Sequence, residues 1–173
     1  MNRGLNRDKL VAALSGALPP VLARDLVEEF LTLRRDVATG TLGGSAPGKI
    51  VETLVQVLQW LDTGKYDSKP PIDDFLRTLE SKATPLDDGL RICAARIGRA
   101  MYSLRNKRSI AHKGQIDSNV YDLRFLHAAA QWLLTELIRL TNKISMQEAG
   151  RLIDQVQTPV GGLVEDFGGR RIV

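Results

Sequence analysis

Apolar residues recur along this chain at helical rather than strand spacing. From Pro20 to about Ala38, Leu22, Leu26, Phe30, Leu33 and Val37 share one face. Pro20 suits a first helical turn and Thr39-Gly40 suits an end. A shorter pattern, Asn6 to Leu18, comes before it and is stopped by Pro19. Thr41 to Gly48 is small and Gly-rich and reads as a loop. Lys49 to Asp62 is the next helix, with Ile50, Leu54, Val57, Leu58 and Leu61 inward. Gly64 and Pro70-Pro71 break the chain before a short helix over Ile72 to Lys82.

Pro85 and the Asp87-Asp88 pair open another helix, where negative charge meets the positive end of the helix dipole. Leu90, Ala94, Ile97, Met101 and Leu104 form its apolar stripe, and Arg91, Gly98, Tyr102 and Arg105 the opposite, basic face. Cys93, on the inner half, is expected to pack. A loop containing RNKRSIAHKG follows. Asp117 or Ser118 then caps a long helix to about Asn142, with Leu123, Leu126, Ala130, Leu133, Leu137 and Leu140 at core spacing. His127 falls inside that periodicity and is expected to be a satisfied core histidine.

Beyond Asn142 the pattern changes. Ser145-Met146-Gln147-Glu148 is a capping box that restarts a helix to about Val156. Leu163 to Phe167 and Arg170 to Val173, joined by Gly168-Gly169, read as a β-hairpin. The chain is therefore expected to be all-α, a bundle of four to six helices over residues 1–144, with an N-terminal helix in 1–19 and the core in 20–144. Residues 145–173 form a helix and β-hairpin appendage, used for packing or dimerisation. Helix, turn, helix, hairpin is also the order of a winged-helix unit, but only Arg151 is basic on Met146 to Val156, which weakens a DNA-reading role.

Composition narrows the classes. The 173 residues are 43% apolar, enough for a proper core, and the lone Cys93 excludes an internal disulfide and fits a reducing, cytoplasmic compartment. No apolar run approaches the ~20 residues of a membrane span. The polar Met1 to Leu10 start is not patterned as a secretion signal. The net charge of +4 is unevenly placed. Gly89 to Ile116 holds seven basic residues, Arg91, Arg96, Arg99, Arg105, Lys107, Arg108 and Lys113, and no acidic one, leaving −3 elsewhere. Such a stretch suits a polyanion, since solvated helix faces normally mix signs. Phosphate-binding glycine loops are absent, and one cysteine with two histidines does not make a zinc site, so no metal or cofactor is expected.

Chemistry is left to the loop after the basic helix. Arg105, Asn106 and His112 stand there in the run Arg105-Asn106-Lys107-Arg108-Ser109-Ile110-Ala111-His112. This run resembles the signature of the HEPN superfamily: an Arg, a small polar residue, and a His after four to six intervening residues. The spacing, Gly114 beyond Lys113, the Gly43-Gly44-Ser45 loop and the closing helix and hairpin are most similar to the HEPN domains at the C-terminus of abortive-infection (Abi-type) proteins. The Lys113 between His and Gly departs from the common pattern.

The resemblance implies a metal-independent endoribonuclease acting in antiphage defence or as a toxin. The residue types suit it: a histidine moves protons near neutral pH, and an arginine fork holds phosphate oxygens. Asn106 would orient either His112 or the phosphate; it also reads as a helix C-cap. One histidine does not easily serve as both base and acid, so the resemblance implies a homodimer presenting two Arg-Asn-His sets to one groove. Arg91, Arg96, Arg99, Tyr102, Lys107, Arg108 and Lys113 would line the RNA path. An antitoxin or sensor partner would restrain it. The alternative is a non-catalytic HEPN module that binds RNA or nucleotide, or serves as an interaction subunit of a defence complex.

Overall fold

The computed structural model describes residues 2–41, 46–107, 119–157, 166–167 and 170–171. They are all-helical apart from one short ladder. The helices are α1 (Asn2–Ser15), α2 (Pro20–Thr39), α3 (Ala46–Thr63), α4 (Ile72–Ser81), α5 (Ala95–Lys107), α6 (Val120–Asn142) and α7 (Met146–Gln157). A π-helical turn, Gly89–Ala94, runs directly into α5. Asp166–Phe167 and Arg170–Arg171 pair antiparallel. Their Gly168-Gly169 connection lies outside the described residues. Among the described residues, no helix is long and apolar enough to cross a membrane.

The core follows the apolar periodicity. Leu22, Leu26, Phe30 and Leu33 of α2, Ile50, Leu54, Val57 and Leu58 of α3, and Leu123, Leu126, Leu133 and Leu137 of α6 are buried. Val37, Leu61 and Leu140, at the ends of their stripes, are only partly so. Ala149 and Ile153 of α7 are fully buried in the same core, so α7 packs into the bundle with α1 and α6. Its capping box forms as the sequence predicts, with Ser145 N and Oγ donating to Glu148 and Glu148 N donating back to Ser145 Oγ.

Three local expectations are corrected. The N-cap of α6 is Asn119, not the Asp117 or Ser118 expected, and its side chain accepts from Tyr121 N and Asp122 N. A capping box needs an acidic or amide side chain three residues on, and only Asn119 has one, Asp122. Helix α3 begins at Ala46, not Lys49, so Gly48 is a buried helical residue rather than part of a loop. Pro47 in the first turn starts the helix, because its missing N–H has no partner to lose there. Cys93 is exposed, not packed. The wide π turn carries one more residue per turn than an α-helix, which rotates Cys93 out and Ala94 and Ala95 in.

Glu136 of α6 abuts Gly89, and Arg139 reaches Asp87 at 3.8 Å, so the middle of α6 lies beside the start of the π turn. Arg105 meets Gly48 and Gly98 meets Leu54, while Ile50 and Leu54 lie against Ala130, Leu133 and Leu134, so α5 and α6 run antiparallel. Arg105 lies sixteen residues after Gly89, and Val120 sixteen before Glu136, roughly 24 Å along each helix. The last turn of α5 and the first turn of α6 therefore share one end of the bundle.

Candidate functional site

Of the residues singled out for chemistry, Arg105 and Asn106 fall in the last turn of α5. His112, Arg108 and Lys113 lie outside the described residues, as does the Gly43-Gly44-Ser45 loop. Asn106 and Lys107 are exposed. Arg105 is half-buried and its guanidinium rests on Gly48 at the start of α3. A Cβ at position 48 would sit 2.8 Å from Nη1 and closer still to Cζ and Nε, inside the 3.0 Å limit of real Cβ contacts. Only glycine leaves this seat open.

Among the described residues Arg105 has neither a hydrogen-bond nor an ion-pair partner. Among the described residues, five donors and a full charge, partly removed from water, thus meet no anion. The rest of the basic helix is different. Arg91 donates to Asp88 Oδ1 and to the Glu80 carbonyl; Arg96 pairs with Glu80 at 2.9 Å; Arg99 pairs with Asp73 at 3.2 Å and Glu80 at 3.5 Å. These bonds hold Glu80 below the usual carboxylate range, chiefly through its hydrogen bond from Arg96. The face of Arg91, Gly98, Tyr102 and Arg105, expected to be basic and open to RNA, is thus largely packed. Gly98 lies against Leu54 and Leu76, where a Cβ would come 3.0 Å from one and 3.2 Å from the other, and Tyr102 packs against the core. The reason is tertiary: α4, which docks on α5, carries Asp73 and Glu80, acids that a local charge count along the chain does not see.

The seat yields a sharp test. Gly48→Ala replaces a glycine in the first turn of α3, where alanine suits the helix as well as or slightly better than glycine. It also pushes the flexible end of Arg105 aside. We expect little change in melting temperature and, on the ribonuclease expectation of the sequence, cleavage lowered about a hundredfold if the guanidinium is the group that holds phosphate. Equal cleavage by the variant and wild type would show that the seat does not matter.

Against known proteins, the chain matches no family model, no curated protein and no solved structure.

The other flank of the α3 start carries a feature that the sequence reading missed. A cleft of about 260 Å³ is lined by Asp25, Glu28, Glu29, Thr32, Ala46 and Lys49. Glu29 Oε2 is buried with no partner among the described residues, and burial pushes the Glu29 carboxyl up to about 7. Thr53, by a hydrogen bond, and Lys49 partly offset this, whereas Asp25 and Glu52 add to it. The available signal was an acid one step from Phe30 and midway between Leu26 and Leu33 on the apolar face of α2. No group of three or more His, Cys, Asp or Glu among the described residues is placed to hold a metal ion.

The folded chain keeps the Glu29 proton well above 4.5, where the unfolded chain releases it. Stability attributable to Glu29 is therefore full below about pH 4.5 and declines as pH rises through about 7. Glu29→Gln cannot ionise, so its melting temperature should exceed that of wild type by more at about pH 8 than at about pH 5. A pH-independent difference would mean Glu29 is solvated.

Proposed function

We propose that this chain is a metal-independent endoribonuclease of the HEPN type, working in the cytoplasm as a homodimer in antiphage defence or as a toxin. The observation that carries this reading is the seat of Arg105: a half-buried guanidinium resting on Gly48, without an anion among the described residues. It stands at the end of α5 where the Arg105–His112 run begins.

In the proposed reaction Arg105 holds non-bridging oxygens of the scissile phosphate and stabilises the phosphorane as charge builds. His112 of one protomer takes the proton from the 2′-hydroxyl as that oxygen attacks phosphorus. His112 of its partner gives a proton to the 5′-oxygen as the P–O5′ bond breaks, leaving a 2′,3′-cyclic phosphate and a 5′-hydroxyl. Asn106, exposed beside Arg105, donates to the phosphate or orients the imidazole. Lys107, Arg108 and Lys113 supply positive charge along the strand, and an antitoxin or sensor protein keeps the activity in check. Arg91, Arg96 and Arg99, already paired with acids, contribute less to RNA affinity than their number suggests.

The test is incubation of purified protein with total RNA in excess chelator, beside His112→Ala and Arg105→Ala. Cleavage by wild type alone, leaving cyclic phosphate ends, is expected. Intact RNA in all three reactions overturns the ribonuclease reading, and cleavage that stops with chelator overturns the metal-free mechanism. Light scattering tests the dimer: a monomer at micromolar concentration removes the shared groove.

A further inference from the structure

Three of the large apolar side chains exposed among the described residues lie in the first two turns of one helix. Val120, Tyr121 and Phe125 open α6 at 38%, 74% and 47% exposure, whereas Val21, Tyr66 and Met146 are scattered over other parts of the chain. Tyr121 and Phe125, four residues apart, stand on the same side of α6. Between them in sequence, exposed Arg124 lays its guanidinium 5.9 Å from the Tyr121 ring centroid. The core gains nothing from these rings, since α6 buries its opposite face through Leu123, Leu126 and Ala130.

Charge says what covers the rings. From Val120 to Leu134 the only acid is Asp122, which is 7% exposed and engaged in the cap of α6. Arg124 stands beside the rings, and Arg105 and Lys107 close α5 with no acid from Tyr102 to Lys107; the acids Asp25, Glu28 and Glu29 lie on the other flank of the α3 start, with Lys49. Open aromatic faces interleaved with arginine and lysine match a polyanion that carries flat rings. An apolar protein partner would be met here by three cations. A duplex would present phosphates but keep its bases stacked on each other.

Building on the ribonuclease reading, we infer that Tyr121, Arg124 and Phe125 form a stacking platform for unpaired bases next to the phosphate held by Arg105, so that the substrate is single-stranded RNA. The antiparallel course of α5 and α6 brings platform and guanidinium to one end of the bundle. Bases splayed onto the rings would draw the backbone over the last turn of α5. Because every base has a π face, the platform selects strandedness rather than sequence.

The experiment measures binding by the full chain of a short 2′-O-methyl RNA strand, which has no 2′-hydroxyl to attack. The same-length duplex and an abasic strand are run alongside. Wild type should prefer the single strand, and Tyr121→Ala with Phe125→Ala should weaken it about tenfold or more while leaving the abasic strand unchanged. Tyr121→Phe should retain binding. A double variant that binds the single strand like wild type overturns the platform while leaving the ribonuclease reading intact. A double variant that loses both strands equally and turns a dimer into a monomer by light scattering also overturns it, assigning this face to a protein contact. Wild type that binds neither strand, and cleaves no RNA, overturns the ribonuclease reading and the platform with it.

Discussion

Arg105→Ala should lower RNA cleavage roughly 10²–10³-fold, the range set by removing one well-placed donor to developing charge. The expectation rests on where the guanidinium is, not only on what it is. Its position is imposed by Gly48 beneath it, and no acid among the described residues competes for it. Folding should be little affected, because the alanine removes no hydrogen bond or ion pair found among those residues. Arg105→Lys separates charge from geometry: lysine keeps the charge but lacks the planar fork, so it should recover only a minor part of the lost rate. His112→Ala should cost roughly 10²–10⁴-fold, as for loss of a general acid–base group. Single-turnover rates on a defined RNA read both. A rate within a few-fold of wild type for Arg105→Ala would sink the assignment of that residue.

The largest stability loss is expected at Phe30. Its side chain is fully buried and stacks on His127 with ring centroids 5.4 Å apart and planes 15° from parallel. It also borders a void of about 10 Å³ among Leu26, Ile50, Leu54, Ala130, Leu133 and Leu134. These neighbours come from three helices pinned by other contacts, so they cannot all close on the space a smaller residue leaves. Phe30→Ala should therefore cost about 3–5 kcal/mol, a large share of the ~5–15 kcal/mol that holds a typical domain folded. Urea unfolding checks the value, and a loss under about 1 kcal/mol would mean the core repacks freely.

The same substitution has a pH signature. Where periodicity suggests a satisfied core histidine, His127 Nε2 is buried without a partner among the described residues. Burial first, and the charge of Arg34 second, hold it below its ordinary 6.5. The unfolded chain takes up a proton near pH 6.5 that the fold resists, so this stability is full above that pH and declines as pH falls below it. Phe30→Ala admits water to the imidazole and should flatten that decline.

How much of this was legible beforehand differs by level. The stripes of α2, α3 and α6 could be read because burial on one side of a helix imposes a 3.6-residue period, whatever the helix packs against. Gly48 could not. A glycine after Gly43, Gly44 and a proline looks like loop, and only the crossing of α5 over α3 makes its missing Cβ a seat for Arg105. Cys93 was misplaced for a related reason: a period assumes one helix type throughout, and the π turn breaks it. Glu29 gives no clear sign of its burial in the sequence, because an acid beside an apolar stripe can as easily reach solvent as be trapped under a neighbouring helix.

The sequence by itself determined that this is a helical chain, where most helices start and stop, and that Arg105, Asn106 and His112 form the run worth testing. Those properties are local, written in periodicity, caps and spacing within one segment. Tertiary structure decided which charges remain available. Asp73 and Glu80 of α4 take up Arg96 and Arg99, which the chain count set among unopposed cations, and Arg105 at the far end of the helix is left on Gly48 without them. Ion pairing depends on distance in space, and helix packing sets that distance across 16 to 26 residues of chain.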